Sequence, residues 1–427
     1  MSTKVLQPVA SLHGDVPLPG DKSISHRALI LSAISDGACR VTGLSAAQDV
    51  QRTLTCLKRL GVKINNAKAG VIVHGVGMNG LQAPKKALDA GNSGTTIRLL
   101  AGVLAAQKFT STITGDESLR NRPMRRIIEP LEAMGARVDS HDYKAPLTIH
   151  GAPLRPIDFA SPIASAQVKS CIMLAGLFAR GVTRVTEPYH SRDHTELLLQ
   201  EMGANIRSSG AMAAVVGPTK LNASDINVPA DISAAAFFLV AGALVPNSTL
   251  VLENVGVNLS RTGILDALTS MGANFQLNDQ VEINHEARAR ITIRSSTLNA
   301  TTLGGAMIPR IIDEIPILAV AATQAEGITT IKDAGELRVK ESDRLSALAK
   351  NLTKMGAKVR EKDDGLIITG PTPLKGAVVD SYDDHRIAMA FSIAALLADG
   401  ETTIQNAECV DVSFPGFYDI LEFIQRD

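Results

Sequence analysis

The chain has 427 residues, enough for two or three domains with full cores, and its 45% apolar and 20% charged residues exclude both disorder and a coiled coil. Forty-three Lys and Arg balance 43 Asp and Glu, so no net field draws the molecule to nucleic acid or to an anionic membrane. With no Trp and 3% aromatic residues there is little to stack on bases or sugars, and recognition must rest on charge and hydrogen bonds.

In chain order, residues 1–19 lack a basic stretch followed by an apolar run, and nowhere do 18 consecutive apolar residues occur. A cytoplasmic location is expected. The cysteines at 39, 56, 171 and 409 are scattered without a CxxC, which predicts neither a zinc site nor a disulfide framework. Six segments read as helices apolar on every side, and therefore buried: 28–34, 97–106, 170–179, 234–244, 315–325 and 387–398. Most run into a turn and a strand, as at Asp36-Gly37-Ala38, Glu326-Gly327-Ile328 and Asp399-Gly400-Glu401.

A second phrase recurs in register with these helices. It is Arg59-Leu60-Gly61-Val62 and then Met-Gly-Ala at 134–136, 202–204, 271–273 and 355–357. Gly61, Gly135, Gly203, Gly272 and Gly356 lie 74, 68, 69 and 84 residues apart. Each reads as a helix C-cap leading into a hairpin such as VKINNAKAGVIVHG or KVREKDDGLIITG. The pattern predicts an α/β protein of six units of roughly 70 residues, each helix, strand, helix, glycine turn and two strands. Six units make two similar domains of three, each with helices buried inside sheets. The last copy is incomplete, ending at Ile424-Gln425-Arg426-Asp427, and residues 1–20, with LHGDVPLPG, are expected to supply its missing strand. The expected domains are 21–228, and 1–20 plus 229–427, joined by a two-strand hinge near Gly20 and Pro229.

A polar motif precedes each buried helix: GDKSISHR at 20–27, GNSGTT at 91–96, SAQVK at 165–169, ADIS at 230–233, IDEI at 312–315 and DDHR at 383–386. Helix N-termini offer unpaired N–H groups and partial positive charge. Basic groups also open the second helix of several units: Arg120 and Arg122, Arg192, Arg261, and Lys340 with Arg344. If the repeats share their orientation, positive charge gathers where they converge, which suits a small polyanionic ligand. Two readings stand for each motif. Ser, Asp and Asn before a helix also serve as plain N-caps, and Asp313 or Glu341 fits either a general base or an ion-pair partner. Arg and Lys at helix starts oppose the dipole, so a purely structural role explains them less well.

PGDKSISHRA, GNSGTTIR, the Arg122-Pro123 segment, Ser165-Ala166-Gln167, Lys340-Glu341-Ser342-Asp343-Arg344 and Asp384-His385-Arg386 together resemble the 5-enolpyruvylshikimate-3-phosphate synthase family, from residue 10 to the C-terminus. GDKS, SAQVK and Arg192-Asp193-His194-Thr195-Glu196 resemble its glyphosate-tolerant class II branch, although Asn258-Leu259-Ser260-Arg261 departs from that branch's Asn-x-Thr-Arg. The resemblance implies an inside-out barrel in each domain. It also implies transfer of the enolpyruvyl group of phosphoenolpyruvate to the 5-hydroxyl of shikimate 3-phosphate, by addition and elimination through a tetrahedral intermediate. No metal or cofactor is implied, and a monomer is expected.

By the same resemblance, Lys22, Ser23, Arg27, Ser165, Ala166, Gln167, Asp313 and Lys340 match shikimate 3-phosphate contacts, with Ser191 or Arg192 added at the phosphate. Lys22, Asn92, Gly94, Thr95, Arg122, Gln167, Glu341, Arg344, His385 and Arg386 match the phosphoenolpyruvate site, where glyphosate also binds. Asp313 is the base for the hydroxyl, and Lys22 and Glu341 serve the methylene carbon. Val412 stands where many relatives carry Lys. The rival reading is the sister transferase acting on UDP-N-acetylglucosamine. Its catalytic Cys is missing from Gly115-Asp116-Glu117-Ser118-Leu119-Arg120.

Overall fold

A computed structural model describes residues 2–425. The chain divides into two compact units, the first comprising Gly20–Val228 with Glu282–Glu286, the second the remaining segments up to Pro19, Pro229–Val281 and from Ala287 onward. Arg426 and Asp427, where the sixth repeat was expected to stop, lie outside the described residues.

The first unit contains three four-stranded sheets of one pattern. In the first sheet Asp36–Thr42 pairs antiparallel with Gly70–Val76, which pairs antiparallel with Lys63–Ala67. The short strand Ile226–Asn227 adds to the edge in parallel. The second sheet repeats this with Leu88–Asp89, Thr110–Thr114, Lys144–His150 and Arg137–His141. The third repeats it with Asp158–Ala160, Gly181–Thr186, Met212–Gly217 and Ile206–Ser209. Its buried helices are α1 (Lys22–Ala33), α2 (Gly94–Leu104) and α3 (Ala166–Gly176). Helices α2 and α3 pack backbone to backbone at Gly102, where an added Cβ would sit 2.2 Å from the Cys171 carbonyl oxygen. Only glycine permits that approach.

In the second unit the buried helices are α4 (Ile232–Leu244), α5 (Ile315–Gln324) and α6 (His385–Ala395). Two four-stranded sheets run His13–Val16, Thr249–Gly256, Glu286–Arg294, Asn274–Ile283, and Thr302–Leu303, Gly327–Ile331, Gly365–Gly370, Lys358–Lys362. The third has Val378–Asp380, Thr402–Gln405 and Thr3–Leu6. Thr3–Leu6 pairs antiparallel with Thr402–Gln405 and so takes the hairpin place in the sixth repeat. The LHGDV stretch expected there pairs instead in parallel with Thr249–Leu252 of the fourth. Helix α4 is buried along nearly its whole length, and its Phe237 and Phe238 pack edge-on or tilted against Phe414 and Phe417 at 5.7–6.2 Å between ring centroids. Each such ring contributes about 1.5–3 kcal/mol by leaving water.

The recurring glycine phrase is a Schellman cap in all five places. Gly61, Gly135, Gly203, Gly272 and Gly356 have φ between +82° and +104°. The following residue's N–H reaches back five positions each time: Val62 to Leu57, Ala136 to Leu131, Ala204 to Leu199, Ala273 to Leu268 and Ala357 to Leu352, at 2.9–3.1 Å. Among the described residues no helix is long and apolar enough to cross a membrane.

Candidate functional site

Five of the six buried helices begin before their apolar stretch, so the polar motifs form their first turns. Asp21 caps α1 through the Ile24 N–H at 2.8 Å, and the helix starts at Lys22 rather than at 28. Ser93 caps α2, Ser165 caps α3, Asp231 caps α4 and Asp384 caps α6. The N-cap reading thus holds for these residues, and it places Lys22, Ser23, Gly94, Thr95, Ala166, Gln167, His385 and Arg386 at helix N-termini, where backbone N–H groups favour anions.

In the first unit, the Lys22 ammonium lies 3.0 Å from Asp49 Oδ2. The Arg98 guanidinium donates to Gln167 Oε1 at 2.5 Å, and the Gln167 amide donates to Thr95 Oγ1 at 2.9 Å. Arg122 donates to Asn92 Oδ1 at 2.6 Å, and the Asn92 amide donates to Asp116 at 3.0 Å. These bonds bring Asn92, Thr95, Arg122 and Gln167 to the N-termini of α2 and α3. A Cβ on Gly94 would stand 2.7 Å from Arg98 Nη1 and 3.4 Å from Arg122 Nη1, so glycine keeps room beside both cations. Arg27 is 3% exposed and donates to Thr195 Oγ1 at 2.7 Å, Ser170 Oγ at 2.9 Å and the Ser23 carbonyl at 2.9 Å. Arg192 reaches Ser23 Oγ at 3.5 Å.

Beneath α1, His26 Nδ1 meets Thr53 Oγ1 at 2.7 Å, which meets Thr96 Oγ1 at 2.7 Å. Burial, with Lys22 and Arg27 adding to it, holds the His26 pKa well below 6.5, so the imidazole stays neutral.

In the second unit, Arg344 is the centre. It is 1% exposed, and it donates to Asp384 through Nε at 2.7 Å and Nη2 at 3.2 Å and to Glu341 at 2.6 Å; its Nη1 lies 3.6 Å from Asp313. Burial works against this charge, but Asp384, Glu341 and Asp313 outweigh it and raise the pKa above that of free arginine. Arg386 Nε lies 3.7 Å from Asp313 Oδ1, and Nη1 donates to the Asp313 carbonyl at 2.9 Å. Asp313, Glu341, Arg344 and Arg386 thus form one group, with buried His385 beside Arg386 on α6 and partly exposed Lys340 before Glu341. A parallel network binds Arg261 to Ser233 at 2.6 Å and Asp231 at 3.4 Å, and Ser233 in turn to Glu314.

Sequence motifs located the cations and missed most of their partners. Asp49 sits inside a helix with no motif around it, Arg98 ends the GNSGTTIR phrase with no role assigned to it, and Glu187 follows a strand end. Asp384 stood in a recognised motif without a role. Val412 ends a short 3₁₀ helix, Ala407–Val412, next to the phenylalanine cluster. The four cysteines are buried, and burial pushes the thiols of Cys56, Cys171 and Cys409 up to about 12. Among the described residues no three His, Cys, Asp or Glu side chains are grouped to hold a metal ion.

The model of the EPSP synthase (3-phosphoshikimate 1-carboxyvinyltransferase) family matches residues 6–421. A 3-phosphoshikimate 1-carboxyvinyltransferase of Bacillus cereus is 51% identical over the whole of both chains. The structure of EPSP synthase from Acinetobacter baumannii superposes with a TM-score of 0.88 at 43% identity, covering 99% of this chain and 98% of that one. The enolpyruvyl transferase NikO from Streptomyces tendae, at 18% identity and TM-score 0.81, shares the fold. A family match along nearly the entire length, with relatives half identical from end to end, leaves one assignment: the chain belongs to the EPSP synthase (3-phosphoshikimate 1-carboxyvinyltransferase) family.

Proposed function

We propose that the chain transfers the enolpyruvyl group of phosphoenolpyruvate to the 5-hydroxyl of shikimate 3-phosphate and releases phosphate, a step of aromatic amino-acid biosynthesis. The observation that carries this reading is the end-to-end 51% identity to a named 3-phosphoshikimate 1-carboxyvinyltransferase. The charge groups support it. Two phosphates and two carboxylates must be held, and Lys22, Arg98, Arg122, Arg192, Arg344 and Arg386 are all fixed in hydrogen-bonded or ion-paired positions.

In the addition, the 5-oxygen bonds to C2 of phosphoenolpyruvate, its proton leaves, and C3 gains a proton to become a methyl group. In the elimination, that methyl loses a proton, the C2–O bond to phosphate breaks, and the enol ether forms. Asp313, with its carboxylate beside two guanidinium groups, takes the hydroxyl proton. Lys22 and Glu341 exchange the proton at C3. Lys22, Ser23, Arg27, Ser165, Ala166, Gln167, Asp313 and Lys340 contact shikimate 3-phosphate, with Ser191 or Arg192 added at the phosphate. Lys22, Asn92, Gly94, Thr95, Arg122, Gln167, Glu341, Arg344, His385 and Arg386 contact phosphoenolpyruvate or the inhibitor glyphosate. Arg27 also donates to Thr195, Ser170 and the Ser23 carbonyl, and so fixes Ser23. The chain acts in the cytoplasm as a monomer, with domains 21–228 and 1–20 plus 229–427.

The test is phosphate release from phosphoenolpyruvate, with shikimate 3-phosphate as acceptor in one well and UDP-N-acetylglucosamine in another. Release with the shikimate ester alone is expected. Release with the nucleotide sugar alone overturns the assignment in favour of the sister transferase.

A further inference from the structure

Behind the residues assigned to the shikimate 3-phosphate phosphate lies a buried cluster of charge that the chemistry leaves unused. Glu187 follows the strand Gly181–Thr186, and its side chain is 1% exposed. Its Oε1 accepts the Ser165 backbone N–H at 2.6 Å, and its Oε2 accepts the Ser191 hydroxyl at 2.6 Å. Lys169 Nζ lies 3.3 Å from Glu187 Oε2 and 2.8 Å from Glu196 Oε1, and donates to the Ser191 carbonyl at 3.2 Å. Lys169 is itself 2% exposed. Burial pulls its pKa down, but Glu196 and Glu187 more than offset this and raise it, so the ammonium persists.

The proton inventory separates the two serines. Ser165 Oγ accepts from the Val168 N–H as the N-cap of α3, which leaves its own proton for a ligand. Ser191 donates its single hydroxyl proton to a carboxylate, which can only accept. A phosphate, also an acceptor, finds no donor at that hydroxyl while the tie to Glu187 stands. The next residue, Arg192, carries donors and reaches Ser23.

We propose that Glu187 is a positioning residue for recognition of the substrate phosphate: one buried carboxylate, balanced by Lys169, fixes both the N-cap of α3 at Ser165 and, through Ser191 as a tie, the turn that presents Arg192. This rests on the assignment of Ser165 and Arg192 to shikimate 3-phosphate made above. A shift of the turn that carries Arg192 moves a phosphate donor and leaves the phosphoenolpyruvate residues and the base Asp313 in place, and a shift at Ser165 moves a donor with Gln167 as the one phosphoenolpyruvate residue on the same helix. The signature is therefore selective.

Four single variants and one double test it, each checked for its thermal midpoint: Glu187→Gln, Ser191→Ala, Ser165→Ala, Arg192→Gln, and Glu187→Gln with Ser191→Ala. The expected result for Glu187→Gln is a KM for shikimate 3-phosphate raised about tenfold, with kcat and the KM for phosphoenolpyruvate within twofold. Ser191→Ala, which cuts the tie and leaves the charges in place, is expected to raise the same KM severalfold, and the double variant to be no worse than Glu187→Gln alone. If Ser165→Ala and Arg192→Gln leave that KM unchanged, the substrate assignment has failed. If those two raise it while Glu187→Gln and Ser191→Ala do not, or if the double variant is additive, the positioning role is overturned. A fall in kcat with both KM values rising together also overturns it, since that is the mark of general loosening.

Discussion

Asp384→Ala removes a carboxylate of the second unit that accepts four hydrogen bonds. The side chain is fully buried, and it accepts from Arg344 Nε at 2.7 Å, Arg344 Nη2 at 3.2 Å, Ser342 Oγ at 3.1 Å and the Arg386 backbone N–H at 2.9 Å. Two losses combine. Arg344, 1% exposed, keeps Glu341 and a 3.6 Å approach to Asp313 but loses its bidentate partner, and breaking a buried pair from one side costs about 3–5 kcal/mol. Helix α6 also loses its N-cap, at about 1 kcal/mol. A total destabilisation of about 4 kcal/mol or more is expected, read as a lower urea midpoint at unchanged slope by circular dichroism. Asp384→Asn separates the terms. Its amide oxygen can still cap Arg386 N–H, so it should recover only the cap, about 1 kcal/mol, and leave most of the loss. A drop below about 1 kcal/mol for Asp384→Ala refutes the reasoning, because it means Arg344 finds compensation from Glu341 and Asp313 alone.

Two further outcomes follow from buried groups of the first unit. His26 is held neutral with its pKa well below 6.5, so below pH 6.5 the unfolded chain binds a proton that the folded chain refuses; stability is full above pH 6.5 and falls on acidification, by at most about 1.4 kcal/mol per pH unit from this group. His26→Asn, which can keep a bond to Thr53, should flatten the pH 5–6.5 limb of a urea-midpoint profile, and an unchanged limb contradicts this. Gly102→Ala places a methyl group 2.2 Å from the Cys171 carbonyl, and forcing α2 from α3 should cost about 1–3 kcal/mol in the same assay, whereas a neutral result means the two helices slide freely.

The parts of the fold legible in the sequence were those written in local chemistry. Gly61, Gly135, Gly203, Gly272 and Gly356 could be read as C-caps because positive φ selects glycine, and each proved to be one. The buried helices were legible because α4 and its counterparts present apolar side chains on every face. Their starts were not, since periodicity begins only where polar residues stop, whereas Asp21, Ser93 and Ser165 start the helix earlier through hydrogen bonds that composition does not mark. The pairing of the N-terminal strands was also beyond local reading. Thr3–Leu6 and His13–Val16 are both four residues long, and which sheet each enters is decided by packing far away in sequence.

The same division separates cations from carboxylates at the candidate site. Lys22, Arg344 and Arg386 stood out because arginine and lysine at helix starts oppose the dipole and call for an explanation; Arg122, expected to open a helix in the same way, is instead the C-cap of the short helix Glu117–Asn121. Asp49, Glu187 and Asp384 did not, because a carboxylate in a helix, after a strand or at a cap is ordinary wherever it occurs. The structure ties the two sets together: Lys22 to Asp49, Lys169 to Glu187 and Glu196, and Arg344 to Asp384 and Glu341. The zero net charge of the chain is thus reproduced at close range around these cations. Paired cations of this kind are held in place by the fold itself, so the ordering of their long side chains is completed on folding. Asp49, Glu187 and Asp384 do this ordering from ordinary places, a helix, a strand end and a cap, which is why neither charge counting nor motif spacing could single them out.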